Sequence, residues 1–197
     1  EIEMRVLVLI LTLLMLPQTS IAQQGLLNVK NAGAASCKDF INVFSSQGNQ
    51  LNKTAYMQWI SGYSTAIARM NNLIDVFPIK SSFELLQMVI FVCSEKPDEL
   101  VETAVRVTIV RLKPFWVKGN AEIINLQNAG KEVKYFRASV TPLQQAIKDQ
   151  GFKISVDGAY GNQTGAGISA ISSANGLPKS PLPSAALLYI FTKKAPQ

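Results

Sequence analysis

Val156-Asp157-Gly158-Ala159-Tyr160-Gly161-Asn162-Gln163-Thr164 decides how the chain folds, because it separates two helical patterns with a tight turn. An Asp at such a place can fold its carboxylate onto nearby backbone N–H groups, and Gly158 and Gly161 can take positive φ there. Upstream, Thr141-Pro142-Leu143-Gln144 carries three helix-start signals: Thr as cap, Pro at the first position, and Gln three residues after the cap. Leu143, Ala146 and Ile147 give that helix an inner face, and Gly151 stops it. Downstream the pattern predicts a second helix over about 163–175, stopped by Gly176, and a last one over about 183–192. Asp157, Tyr160, Asn162, Gln163 and Thr164 bring polar and aromatic groups to the turn and are the candidate ligand contacts, although turn chemistry alone also accounts for Asp157 and Thr164.

Moving towards the N-terminus, two short runs, Ala121-Glu122-Ile123-Ile124-Asn125-Leu126 and Lys131-Glu132-Val133-Lys134-Tyr135-Phe136-Arg137, flank an Asn-Ala-Gly turn. Their partial alternation predicts a β-hairpin, which must lean on a neighbour because an isolated hairpin is marginal in water.

The preceding half reads helical. Tyr56, Trp59, Ile60, Tyr63, Ile67, Met70 and Leu73 recur at threes and fours and form one predicted helix face. Gly62 inside that helix costs about 1 kcal/mol against Ala, which points to close helix packing. Ser81 with Glu84 three residues on is a capping-box pattern for a helix carrying Leu85, Leu86, Val89, Ile90 and Cys93. Pro97 suits the first turn of a further helix, with Asp98, Glu99 and Glu102 at its positive end and Pro114 closing it. A shorter helix over about 36–44 holds Cys37.

The first residues read as an address. Met4 and Arg5 precede an apolar run over 6–16, followed by small residues at Ser20 and Ala22, the three parts of a secretory signal peptide cut after Ala22. Spanning a bilayer takes roughly 20 apolar residues, so no stable membrane insertion is expected once residues 1–22 are removed. In an exported chain, Cys37 and Cys93 are most simply one disulfide, two separate buried thiols being the alternative. The expected order is a signal peptide at 1–22, a helical domain at 33–114, a linker with the hairpin at 115–139, and a C-terminal helical domain at 140–194. The fold class is mainly α.

Composition excludes much chemistry. Histidine is absent, which removes Ser-His and Cys-His catalysis and His-based zinc sites. Two cysteines are too few for a cysteine-only structural zinc site, and no cofactor is expected. The net charge of +6 carries no basic run longer than Lys193-Lys194, so nucleic-acid binding is not expected. A carboxylate-based hydrolase would have to draw on residues such as Glu84 and Glu102, which are already read as a cap and as a surface residue matched to the helix dipole.

Two resemblances add to this reading. Cys37, Tyr56-Met57-Gln58-Trp59-Ile60-Ser61-Gly62-Tyr63 and Cys93-Ser94-Glu95-Lys96-Pro97 resemble the pattern of small periplasmic helical proteins related to the HdeA acid-stress chaperones and to some periplasmic immunity proteins. That likeness covers about 75 residues and implies a disulfide-linked bundle. From Leu143-Gln144 through Gly151-Phe152, Val156-Asp157-Gly158, Tyr160-Gly161, Thr164, Ile168, Ala174, Gly176-Leu177-Pro178 and Leu187-Leu188, the chain resembles the peptidoglycan-binding domain of wall hydrolases. Ile171-Ser172 and Ser180-Pro181-Leu182-Pro183 depart from that family's usual Phe-Gln and Thr-Gly steps. Together these imply a periplasmic or secreted, non-catalytic protein that binds peptidoglycan and engages a protein partner through its helical half. The alternative is a chaperone or immunity protein whose C-terminal domain no longer binds the wall.

Overall fold

The structure is a computed structural model and describes residues 28–193, so the predicted signal segment 1–22 and residue 194 lie outside the described residues. Among the described residues, seven α-helices and one antiparallel hairpin follow in the order α1 (Cys37–Ser45), α2 (Gln50–Met70), α3 (Ser82–Glu95), α4 (Val101–Arg111), β1 (Ile123–Asn128), β2 (Lys131–Phe136), α5 (Val140–Asp149), α6 (Asn162–Ala174) and α7 (Ala185–Thr192). The fold is mainly helical, as the sequence predicts.

α1 and α4 start side by side. Ser36 caps α1 by accepting the Asp39 N–H at 3.1 Å and donating its own hydroxyl to Asp39 at 2.7 Å. The first N–H groups of α1, on Cys37 and Lys38, donate to the carbonyls of Glu99 and Pro97, each at 2.8 Å, and Val101 N–H donates to Ala35 at 2.9 Å. This corrects the expected start of α4. The segment around Pro97 is drawn out to satisfy the end of α1 and turns instead of entering a helix, so α4 begins at Val101. Cys37 and Cys93 are joined by a disulfide, with Cα atoms 5.0 Å apart, and both residues are fully buried.

In α2 the buried line is Tyr56, Ile60, Ser64 and Ala68, flanked by half-buried Trp59, Tyr63 and Ile67. Met70, expected on this face, is 80% exposed, because α2 ends there and the chain turns away. Gly62 is also a correction. It is exposed, and a Cβ there would meet no atom within 4 Å, so it does not mark close packing. The glycine that does is Gly33, where a Cβ would overlap the Trp59 indole.

α3 lies at the centre, burying Leu85, Leu86, Met88, Val89, Val92 and Cys93 and packing on α1, α2, α4 and α7. The Ser81 hydroxyl accepts the Glu84 N–H at 3.3 Å, as a cap should. The Glu84 carboxylate does not complete the reciprocal box. Ser81 N–H is already bonded to Ile79, and Glu84 instead accepts the Ala185 N–H at 2.7 Å, at the start of α7. Glu102 is not a surface residue either: it is 7% exposed and accepts the Tyr63 hydroxyl at 2.8 Å. Burial and this bond raise the Tyr63 pKa to about 12.

The hairpin pairs Ile123 with Phe136 through Asn128 with Lys131. Ala129 and Gly130 both have positive φ, the backbone of a two-residue hairpin turn whose twist matches the strands. The expected support comes from the first half: Phe136 N–H donates to Pro78 at 2.9 Å, and Lys80 N–H donates to Lys134 at 2.8 Å.

α5 begins at Val140, so Thr141 sits inside the first turn and is not its cap. A 3-10 turn over Arg137–Ser139 leads into α5, and Ser139, which stands at the cap position, donates its hydroxyl to Phe115 at 3.2 Å instead. α5 and α6 cross closely at Gly167, where a Cβ would lie 2.6 Å from Ile147 Cγ2. α7 is capped by the Ser184 hydroxyl as well as by Glu84, and its Leu187 and Leu188 are fully buried in the core that α3 shares.

Candidate functional site

Gln144 organises the turn before α6. It lies on α5 with its side chain 2% exposed, and its Oε1 accepts the N–H groups of Asp157 at 3.0 Å and Gly158 at 2.8 Å. Its Nε2, which carries two hydrogens, donates to Asp157 Oδ1 at 2.8 Å and to the Ala159 carbonyl at 2.9 Å, and lies 3.2 Å from the Thr164 hydroxyl. A buried amide must find partners for both ends, and this loop supplies them. The sequence reading of Gln144 as a helix-start residue misses this role.

Asp157 behaves as the turn pattern predicts. Its Oδ1 accepts the Ala159 N–H at 2.9 Å, and the Gln144 amide together with that N–H holds its carboxyl below the usual aspartate value. Gly158 has φ +75°. Gly161 does not take positive φ: its φ is −124°, extended backbone, because it serves as the residue before α6. Thr164 is 2% exposed and turned to Gln144. Asp157 and Thr164 therefore hold the loop together, with Gln144 at its centre.

The remaining candidates stand elsewhere. Tyr160 is half-buried, its hydroxyl donates to the Pro181 carbonyl, and burial pushes its pKa up. Asn162 and Gln163 are exposed in the first turn of α6. Tyr160 and Asn162 line an open groove of about 560 Å³, whereas Gln163 lies outside that lining. One wall of the groove is β1, through Asn125, Leu126, Gln127 and Asn128. The floor is made of small residues on α6, Gly165, Ala166 and Ser169, and the far rim of Pro181 and Leu182. No charged residue is in this lining.

Sequence reasoning assigned Tyr160 and Asn162 to the site and missed β1. A signal was present: Asn125 and Gln127 alternate with Ile124 and Leu126, so the strand period places the two amides together on one face.

A second open cleft, about 540 Å³, lies between α2, the 72–80 segment and the start of α3. Arg69, Lys80 and Asp75 line it beside Ser61, Ser64 and Thr65, and burial raises the Asp75 pKa. Among the described residues, no helix is long and apolar enough to cross a membrane, and no group of three His, Cys, Asp or Glu side chains is placed to hold a metal ion.

No protein-family model matches the chain, and no curated protein or solved structure matches it.

Proposed function

We propose that this is an exported, non-catalytic protein that docks on peptidoglycan through the groove between β1 and α6, leaving its helical half to engage a protein partner. The observation that carries the reading is the groove itself. It puts the aromatic Tyr160 and the amides of Asn125, Asn128 and Asn162 around a floor of small residues, a lining suited to a neutral, hydroxyl-rich and amide-rich polymer. The disulfide supports an oxidising compartment such as the periplasm or the exterior, in line with the predicted signal peptide. Glu84 and Glu102, named above as examples of carboxylates a hydrolase could draw on, are engaged as a helix cap and as a tyrosine acceptor, which supports a binding role over a catalytic role for these two. In this reading, Asp157 and Thr164 act on the ligand only by positioning the loop that carries Tyr160 and Asn162.

The test is co-sedimentation of the protein with purified sacculi at low and high salt. A chain of net charge +6 adheres to anionic polymers through screened attraction, so pelleting that survives salt is the supporting result. Ala166→Trp, which fills the floor of the groove from an exposed position, is expected to abolish it. Pelleting that vanishes with salt refutes wall docking and brings forward the chaperone or immunity reading of the helical half.

A further inference from the structure

The 125–128 stretch lines the groove as four consecutive residues. Successive strand residues face opposite sides of a sheet, so a ligand on one face would meet every second residue. Contact with all four means the groove runs along the edge of β1.

The ladder fixes which backbone groups that edge presents. Arg137 N–H donates to the Glu122 carbonyl at 2.9 Å, which makes this pair a hydrogen-bonded one. Such pairs alternate with non-bonded ones in an antiparallel ladder. With the observed register, Ile124, Leu126 and Asn128 bond to β2, and Ile123, Asn125 and Gln127 turn their N–H and C=O groups outward. The same alternation on β2 directs Lys134 and Phe136 outward, and both are met there by the 78–80 segment. On β1, no described backbone group bonds to the outward set. Asn125 and Gln127 are exposed and carry no charge that would guard the edge.

We propose that this open edge reads acetamido groups, so that the wall polymer is held by its N-acetylated glycan strand and not by its stem peptides. The inference rests on the groove being the wall-docking site. A trans acetamido group points its N–H and C=O in opposite directions, as a single peptide unit does, so it meets the edge through one of them: the outward Asn125 N–H donates to the acetamido carbonyl. The uncharged lining favours the neutral sugar over the peptide, whose carboxylates would lack a cationic partner in the groove. Tyr160, its ring fixed by the hydroxyl bond to Pro181, supplies an apolar surface against which a sugar ring rests.

The test titrates the full protein, labelled with ¹⁵N, with the tetramer of N-acetylglucosamine, using the glucose tetramer as a neutral control without acetamido groups. The expected result is saturable shifts of the Asn125, Gln127 and Asn162 amides with the acetylated tetramer only, and release of the protein from sacculi by that tetramer. Asn125→Pro removes an N–H that β2 does not use, a change that edge strands tolerate, and is expected to weaken tetramer binding about five-fold. Ala166→Trp, checked for an unchanged melting temperature, is expected to abolish it. If sacculi retain the protein at high salt but a soluble stem tripeptide displaces it while the acetylated tetramer does not, the glycan assignment is overturned and wall docking stands. Failure of the protein to pellet with sacculi refutes both.

Discussion

Ala185 donates its backbone N–H to Glu84 Oε2 at 2.7 Å across 101 residues of chain, so a side chain of α3 caps α7. A second carboxylate of the same helix does similar work further along. Glu95 accepts the Tyr189 hydroxyl at 2.7 Å and both terminal nitrogens of Arg111, at 2.7 and 2.9 Å. The last helix is thus held to the disulfide-bearing helix by two acidic side chains in addition to its buried leucines.

Loss of the first of these bonds leaves the start of α7 with its Ser184 cap alone. Glu84→Ala is expected to destabilise the protein by about 1–2 kcal/mol. Urea unfolding followed by circular dichroism measures it, and an unchanged midpoint would show that the bond is not formed in solution.

The Arg111 guanidinium, helped by the Tyr189 hydroxyl, holds the Glu95 carboxyl below its usual value of 4.5. A depressed folded-state pKa means that the stabilisation is fully present above the unfolded value and is lost as pH falls through the folded one. Melting temperatures between about pH 6 and pH 2 should therefore fall more steeply for the native protein than for Glu95→Gln, which cannot ionise. Parallel curves would remove Glu95 from the acid response.

Gln144→Ala leaves the Asp157 and Gly158 N–H groups without their acceptor, at an expected cost of about 2–3 kcal/mol. Gln144→Glu keeps the shape but replaces the donating amide with a carboxylate facing Asp157 Oδ1. Its defect should be greater at neutral pH than in acid, where a protonated carboxyl can donate again. A defect independent of pH would mean that the two side chains do not meet.

Two glycines are expected to respond in opposite ways to alanine. Gly33→Ala drives a methyl into the Trp59 indole and should destabilise by about 1–3 kcal/mol. Gly62→Ala, in open space on α2, should stabilise by up to about 1 kcal/mol. Thermal melts of both variants decide the matter, and destabilisation by Gly62→Ala would restore a packing role for that residue.

Reduction of the Cys37–Cys93 bridge releases a closed loop with a sequence separation of 56 residues. In the chain-entropy model this costs roughly 4 kcal/mol. A drop in the urea midpoint on adding reductant checks it, and two thiols titrating in the native oxidised protein would contradict the bridge.

Much of this was legible from local patterns. The helix over 163–175, its Gly176 stop, the Asp157-Gly158 turn and the hairpin each depend on chemistry within a few residues, and the structure has them close to where the sequence places them. The bridge was legible because the chain has two cysteines, and one disulfide is their simplest state where export is expected. Tertiary context decided the rest. Thr141 has the chemistry of a cap, but a 3-10 turn carries the chain into α5 ahead of it. Pro97 could start a helix, yet its carbonyl and that of Glu99 are claimed by α1. Glu84 and Gln144 matched local helix-start patterns and were free to bond to groups 101 and 13 residues away once the fold brought them near. The groove is the furthest from local reading, because it exists only where the edge of β1 meets the start of α6. Sequence patterns record what each segment satisfies by itself; which leftover donors, acceptors and strand edges meet is settled only when the helices pack.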